Sequence, residues 1–229
     1  MFGKNLIINQ NLREDGGLII VSLFYTIQGE GPYSGMPAVF LRLAGCNLRC
    51  TFCDTDFETG AQLVPAKDIV ERVLGSAAGR TRLVVITGGE PLIQNVVPLI
   101  KALTGRGMRA QIETAGTVWV PGLEECDFSI VCSPKAGKVN KHILEACNHF
   151  KYIVGANDMV TEEGVFTATQ PGAKPAFLAR PKEGATVWIQ PRDDQDAEKN
   201  RENVMFARDI CLKYGHRLSM QVHKLIEVD

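Results

Sequence analysis

Short, nearly continuous apolar runs recur along the chain and constrain its fold more than any other feature. Leu83-Val84-Val85-Ile86 is the clearest case, with four apolar residues in succession and no polar side left for solvent. Such a run suits a strand covered on both faces, as in a parallel sheet. Strand candidates of this kind fall at residues 19–28, 38–45, 83–88, 108–114, 128–133, 152–155, 186–190 and 217–223. Amphipathic stretches separate them. Pro65 opens one with apolar positions at Ile69, Val70, Val73 and Leu74, and proline is well placed in a first helical turn. A second carries Val96, Leu99, Ile100 and Leu103 before Gly105 and Gly107 stop it. A third repeats Val204, Ala207, Ile210, Cys211 and Tyr214 and ends at Gly215. This alternation predicts an α/β fold with a mostly parallel sheet. Residues 155–184, rich in Gly, Pro, Thr and Ala, are expected to form a loop-rich excursion with one short helix.

Charge narrows the function classes. Twenty-five Lys and Arg stand against 26 Asp and Glu, a net of −1, so no broad basic surface points to nucleic acid. The longest apolar stretch, residues 18–27, is interrupted by Ser22 and Tyr25 and is too short to span a bilayer. Residues 1–17 mix Asn, Gln, Lys, Arg, Glu and Asp and carry no secretory pattern, so a cytoplasmic placement is expected. Seven cysteines are the anomaly. An odd count without an export signal argues against a disulfide framework and turns attention to metal or redox chemistry.

Cys46, Cys50 and Cys53 form a C-x3-C-x2-C group at the end of the strand candidate 38–45. The loop after a parallel strand is where α/β folds place their chemistry. Three thiolates this close repel one another unless a cation or cluster neutralises them. A structural zinc remains an alternative, although it takes four ligands, commonly as two paired half-sites. Cys126, Cys132, Cys147 and Cys211 are isolated in apolar sequence and read as small buried hydrophobes. Three thiolates on a four-iron, four-sulfur cluster would leave one iron open for another ligand, which a fully ligated electron carrier lacks.

The spacing, with Phe52 just before the last cysteine, resembles the signature of the radical S-adenosylmethionine enzymes. Thr87-Gly88-Gly89-Glu90-Pro91 ends the next central strand and resembles their GGEP motif. The resemblance implies a [4Fe-4S] cluster, S-adenosyl-L-methionine as the source of a 5′-deoxyadenosyl radical, and an incomplete, open (β/α)6-type partial TIM barrel in a single domain over residues 1–229. With 229 residues the chain is short for eight full β/α units, which take about 250. Glu90 can accept a hydrogen bond from the methionine ammonium; the plain alternative is a capped β-to-α turn. Glu113 suits a ribose hydroxyl, or is a carboxylate on a sheet edge. Ser133 and Lys135, in Ser133-Pro134-Lys135, offer hydroxyl and ammonium donors. Gln190, before Pro191, is an adenine contact or an ordinary strand-end amide.

Within the superfamily, Phe24-Tyr25-Thr26-Ile27-Gln28-Gly29-Glu30-Gly31, Arg42, Cys53-Asp54-Thr55 and the run from Leu218 to Lys224 look like the 7-carboxy-7-deazaguanine synthase family. That resemblance runs from about Leu23 to Lys224, and residues 1–17 stand outside it as an N-terminal extension. It implies conversion of 6-carboxy-5,6,7,8-tetrahydropterin to 7-carboxy-7-deazaguanine with loss of ammonia, by radical ring contraction, on the route to queuosine and related 7-deazapurines. It also implies Mg2+, an electron donor such as flavodoxin or ferredoxin, and a homodimer. Ile27, Gln28 and Gly29 would meet the pterin edge, and Arg42 its carboxylate; the alternative for Arg42 is a salt-bridged strand arginine. By the same resemblance Thr55 is the Mg2+ ligand, Thr87 a substrate contact, and Phe52, Asp54 and Gly89 cofactor contacts. His223 and Lys224 could face the same pocket, but are read as a tail packed on the sheet. A glycyl-radical activase, which shares the cysteine spacing, stands as the alternative enzyme.

Overall fold

A computed structural model describes residues 4–162, 164–168 and 176–228. Eleven strands and five α-helices follow in order: β1 (Gly17–Ile27), β2 (Pro37–Leu43), β3 (Gln62–Pro65), α1 (Ala66–Ala77), β4 (Leu83–Gly88), α2 (Val97–Gly105), β5 (Arg109–Thr114), β6 (Phe128–Cys132), α3 (Lys141–Ala146), β7 (His149–Val154), β8 (Thr167–Ala168), β9 (Ala176–Phe177), β10 (Thr186–Pro191), α4 (Ala197–Tyr214), β11 (Arg217–Leu218) and α5 (Val222–Leu225). Nine strands form one sheet in the order β3-β1-β2-β4-β5-β6-β7-β10-β11. From β2 to β11 every pairing is parallel. The parallel strands add one after another in the same direction, which curls the sheet without joining its two edges.

The near-continuous apolar runs become the central strands as expected, because both faces are covered. Val84 and Ile86 pack outward against the helices, while Val85 faces inward with Ala38, Leu83, Tyr33 and Phe40. Helix α1 buries Ile69, Val70, Val73 and Ala77, and α2 buries Leu99, Ile100 and Leu103. Helix α4 begins at Asp196, whose carboxylate accepts from the N–H groups of Glu198 and Lys199, the usual work of an N-cap.

Four details depart from expectation. The sheet is mixed, because β1 runs antiparallel to both β2 and β3; β3 is a four-residue strand whose Gln, Leu, Val and Pro hold too little pattern to stand out. The β5–β6 connection has only a helical turn at Leu123–Glu125, so the strand–helix alternation is incomplete. The excursion at 155–184 shows a β8–β9 hairpin and a Val160–Phe166 bridge among its described residues, where a short helix was expected. The strand predicted at 217–223 stops at Leu218. Ser219 N–H donates the last ladder bond to Ile189, and the chain then turns into α5. Among the described residues no helix is long and apolar enough to cross a membrane. All seven cysteines are free thiols, with Cys132 and Cys147 fully buried.

Ile100 is wholly buried between α2 and the sheet. Ile100→Ala is expected to cost about 2–5 kcal/mol in chemical denaturation. Leu212→Ala, at a side chain 78% exposed on α4, is expected to change stability by less than about 0.5 kcal/mol.

Candidate active site

Alternation along a strand sends every second residue into the lumen of the curled sheet. Arg42 on β2, Thr87 on β4, Glu113 on β5, Lys151 on β7 and Gln190 on β10 therefore meet near the C-terminal rim, where they line a cavity of about 450 Å3. Arg42 and Thr87 are register partners on neighbouring strands. The Glu113 carboxylate accepts from the Gln28 amide at 3.0 Å and from the Thr87 hydroxyl at 3.5 Å. Three residues expected to contact different groups thus share one hydrogen-bonded wall.

The cysteine loop forms another wall, with Cys46, Cys50, Phe52, Cys53, Asp54 and Thr55 all facing the cavity. Its position depends on Gly88 and Gly89. A Cβ on Gly88 would lie 2.2 Å from Leu43 O, and one on Gly89 would lie 2.2 Å from Gly45 O and 2.7 Å from Cys46 Cβ. The glycines let the end of β4 close directly against the start of the cysteine loop. Burial pushes the Cys46 thiol up to about 12 and raises that of Cys50 despite the nearby Lys135 ammonium. These sulfurs stay protonated until a positive centre takes over their charge. Among the described residues no three His, Cys, Asp or Glu side chains converge on one ion-sized point. Cys46, Cys50 and Cys53 are three thiols on one wall, one fewer than the four ligands a structural zinc takes.

The Arg42 guanidinium makes no hydrogen bond or ion pair among the described residues. Burial lowers its pKa, while Glu113, Asp54, Cys53 and Glu30 favour the charged form. The alternative of a salt-bridged strand arginine is not met, and a guanidinium is left facing the cavity. Lys135 donates to the Ser133 carbonyl at 2.9 Å and hydroxyl at 2.5 Å, and burial lowers its pKa. Both residues line the cavity, as do Ile27, Gln28 and Gly89.

Two expected contacts lie elsewhere. The Glu90 carboxylate is fully buried outside the cavity wall. It accepts from Thr114 Oγ1 at 2.7 Å, from Ala115 N–H at 2.8 Å and from Leu92 N–H at 3.1 Å. With three donors on its two oxygens, the side chain joins the turn after β4 to the turn after β5. Gly29 is covered by the C-terminal tail: a Cβ there would lie 2.0 Å from His223 Nδ1, and Gly29 O accepts from Val222 N–H at 3.1 Å. The tail is a wall of the site rather than a sheet covering. His223 and Lys224 line the cavity, and Lys224 bridges Asp54 and Asp193 at 2.6 Å each. Asp54, expected at the cofactor, is held by this ammonium, and its other oxygen accepts from Thr55 Oγ1 at 3.3 Å.

Sequence reasoning missed a buried network at the centre. Lys151 pairs with the Glu30 carboxylate, which also accepts from the amides of Gln190 at 3.1 Å and Gln221 at 3.0 Å. Gln190, expected at an adenine, is thus engaged within the protein, although it still lines the cavity. Burial by itself would raise the Glu30 carboxyl, but the Lys151 ammonium and Gln221 amide outweigh it and hold the pKa well below its ordinary value. Burial would lower Lys151, and the Glu30 and Glu113 charges outweigh that and raise it. The signal available in the sequence was a lone lysine inside the apolar strand His149–Val154.

The cavity at the rim of an open parallel barrel, walled by three thiols, is matched by the sequence profile of the Radical SAM superfamily over residues 41–166. The chain belongs to that superfamily. It is 41% identical to the 7-carboxy-7-deazaguanine synthase of Rhodospirillum rubrum, with all of both chains covered. It is 43% identical to the protein of that name from Hyperthermus butylicus, over 92% of this chain and 93% of that one. A crystal structure of QueE from Escherichia coli superposes with a TM-score of 0.65 at 25% identity, covering 89% of this chain and 93% of that chain. Within the superfamily the chain is a member of the 7-carboxy-7-deazaguanine synthase family.

Glu30→Gln strands the Lys151 charge in the interior and is expected to cost about 3–5 kcal/mol in urea denaturation; adding Lys151→Met should restore much of that loss. The pH signs follow from the two shifts. The depressed Glu30 contributes fully above an ordinary carboxylate pKa of about 4.3 and loses its contribution as pH falls toward its lower folded value. The raised Lys151 contributes fully below about 10.4 and loses its contribution above its higher folded value. His223 also interacts with the Glu30 charge, so the stability difference between wild type and the double variant should be flat above the histidine range, from about pH 8 to pH 9. A difference that changes across that window would contradict the pairing.

Proposed function

We propose that the chain is a radical S-adenosylmethionine lyase that converts 6-carboxy-5,6,7,8-tetrahydropterin to 7-carboxy-7-deazaguanine with loss of ammonia. The observation that carries this reading is the unpaired Arg42 guanidinium in the same cavity as the three thiols. A radical enzyme needs its cluster and its substrate in one enclosed space, and an anionic substrate needs a placed cation there. The full-length relatives bear the synthase name, so the glycyl-radical activase alternative is set aside.

Cys46, Cys50 and Cys53 would hold a [4Fe-4S] cluster, whose reduced form supplies the electron that cleaves S-adenosyl-L-methionine to a hydrogen-abstracting radical. The chain's own groups bind, orient and exclude water. Arg42 meets the substrate carboxylate as a two-pronged donor. Gln28 and Thr87, held by Glu113, present an amide and a hydroxyl along the pterin edge. Ser133 and Lys135 supply donors on the cofactor side. The tail, through His223 and Lys224, closes the rim and limits solvent access to a reactive intermediate. Thr55, beside the anionic Asp54 on the cysteine loop, is the protein ligand we assign to Mg2+, which keeps waters and leans on substrate oxygens. An electron donor such as flavodoxin or ferredoxin, a homodimeric assembly and a cytoplasmic setting complete the proposal.

Purified anaerobically, the protein should be brown, bind about four irons and four sulfides per chain, cleave S-adenosyl-L-methionine under reduction and turn over 6-carboxytetrahydropterin. A colourless protein with stoichiometric zinc would sink the reading; cofactor cleavage without deazapurine would retain the superfamily chemistry and lose the substrate. Arg42→Met should lower kcat/KM for the carboxylated pterin by a factor of roughly 30 to 5,000, the range for losing one partner of a buried charge pair. Cluster content should stay intact. An unchanged kcat/KM would place the carboxylate elsewhere.

A further inference from the structure

Residues 5–11 cross the cysteine loop from outside the segment matched by the superfamily profile. Ile7 forms a parallel bridge with Cys46, and Ile8 N–H donates to Cys46 O at 2.8 Å. Leu6 N–H donates to the Glu58 carboxylate at 3.1 Å. Asn5 is 1% exposed and forms part of the cavity wall beside the cysteines. Its side-chain amide donates to Leu48 O at 2.8 Å and to Leu6 O at 3.2 Å, and its main-chain carbonyl accepts from Arg49 Nε at 2.9 Å. Farther along, Gln10 donates to the carbonyls of Leu92 and Trp119, both at 2.8 Å, and Asn11 N–H donates to Ile93 O at 2.8 Å. The segment is therefore anchored on the turn after β4 and on the loop after β5, and from there it reaches the cysteine loop.

Between Cys46 and Cys50 the chain has no regular secondary structure beyond the bridge at Cys46. Its geometry is set by outside partners. Three sulfurs serve one cluster only if this backbone is held, because ligands placed in advance lose less freedom when the metal binds. Asn5 is the buried polar group that reaches the middle of this span, at Leu48 and Arg49.

We propose that Asn5 is a positioning residue for the cluster, fixing the backbone between Cys46 and Cys50 while sealing that side of the cavity. The proposal rests on the iron–sulfur reading above, and its test separates the two. The first measurement uses the apo protein: amide hydrogen exchange compared between wild type, Asn5→Ala and Asn5→Asp, the last keeping the size and losing the donor. Exchange at residues 46–50 should accelerate by about tenfold, the scale for losing the buried amide hydrogen bond to Leu48 in a local opening. Exchange in β5 should stay at the wild-type rate. The second measurement loads the cluster and follows anaerobic release of iron to a ferrous chelator, which should quicken by a similar factor in both variants. Loop exchange and iron release at wild-type rates would overturn the proposal, as would uniform acceleration across the whole sheet, which marks global destabilisation. If the wild type holds no iron, the iron–sulfur reading fails and the proposal with it, while the exchange result still reports whether Asn5 holds the loop.

Discussion

The buried pair between Glu30 and Lys151 is the interaction on which the shape of the site depends. A closed barrel fixes its lumen by pairing its first strand with its last. Here the sheet stays open, with β3 at one edge and β11 at the other, so the ladder alone does not set the width of the cavity. Glu30 follows β1 on one side and Lys151 sits on β7 on the other, with the Gln190 and Gln221 amides completing the carboxylate's shell. Four segments far apart in sequence are thereby held to one oxygen pair. Replacing such a pair with apolar residues need not cost stability, so its value lies in direction. An apolar contact fills space, whereas a charged pair with satisfied partners fixes where the walls stand.

Around that centre the chain closes its rim with contacts that act on backbone. Gly88 and Gly89 allow the end of β4 to lie against Leu43 and Gly45, and Glu90 ties the same turn to Thr114 and Ala115. The motif was expected to serve a ligand, through glycines that admit it and a carboxylate that binds it. In the fold both devices first serve neighbouring strand ends. Gly89 still borders the cavity, so one constraint positions the wall and leaves its backbone facing inward. Gly29 works in the same way for the tail, accepting Val222 and leaving room for His223.

What could be read from the sequence was local. The strand runs, the three helices and the thiol spacing each occupy a few consecutive residues, and alternation then places Arg42, Thr87 and Glu113 on one inner face without knowledge of the rest. Fifteen of the seventeen expected site residues line the cavity, from strands and from the loops that follow them; Gly29 and Glu90 do not. What escaped was non-local: Lys151 paired with Glu30 across 121 positions, Gln221 with Glu30 across 191, and Lys224 with Asp54 across 170. No period or spacing encodes such a partner. Residues 5–11 escaped for a related reason, since a segment that folds only by bonding to other loops carries no pattern of its own.

The near-neutral charge acquires a physical meaning in the cavity. Lys151 is consumed by Glu30, and Lys224 by Asp54 and Asp193. Arg42 faces Glu113 and Asp54 without bonding to either. A protein of net charge −1 has little long-range field with which to gather an anion. A cation placed at short range in a partly buried cavity acts more strongly than such a field. Burial makes that cation costly to hold, as the lowered pKa of Arg42 records. The neighbouring carboxylates offset the cost without occupying the donors. Close to the charge yet outside hydrogen-bond reach, they stabilise the guanidinium and leave its fork open, which is what the proposed carboxylate contact requires.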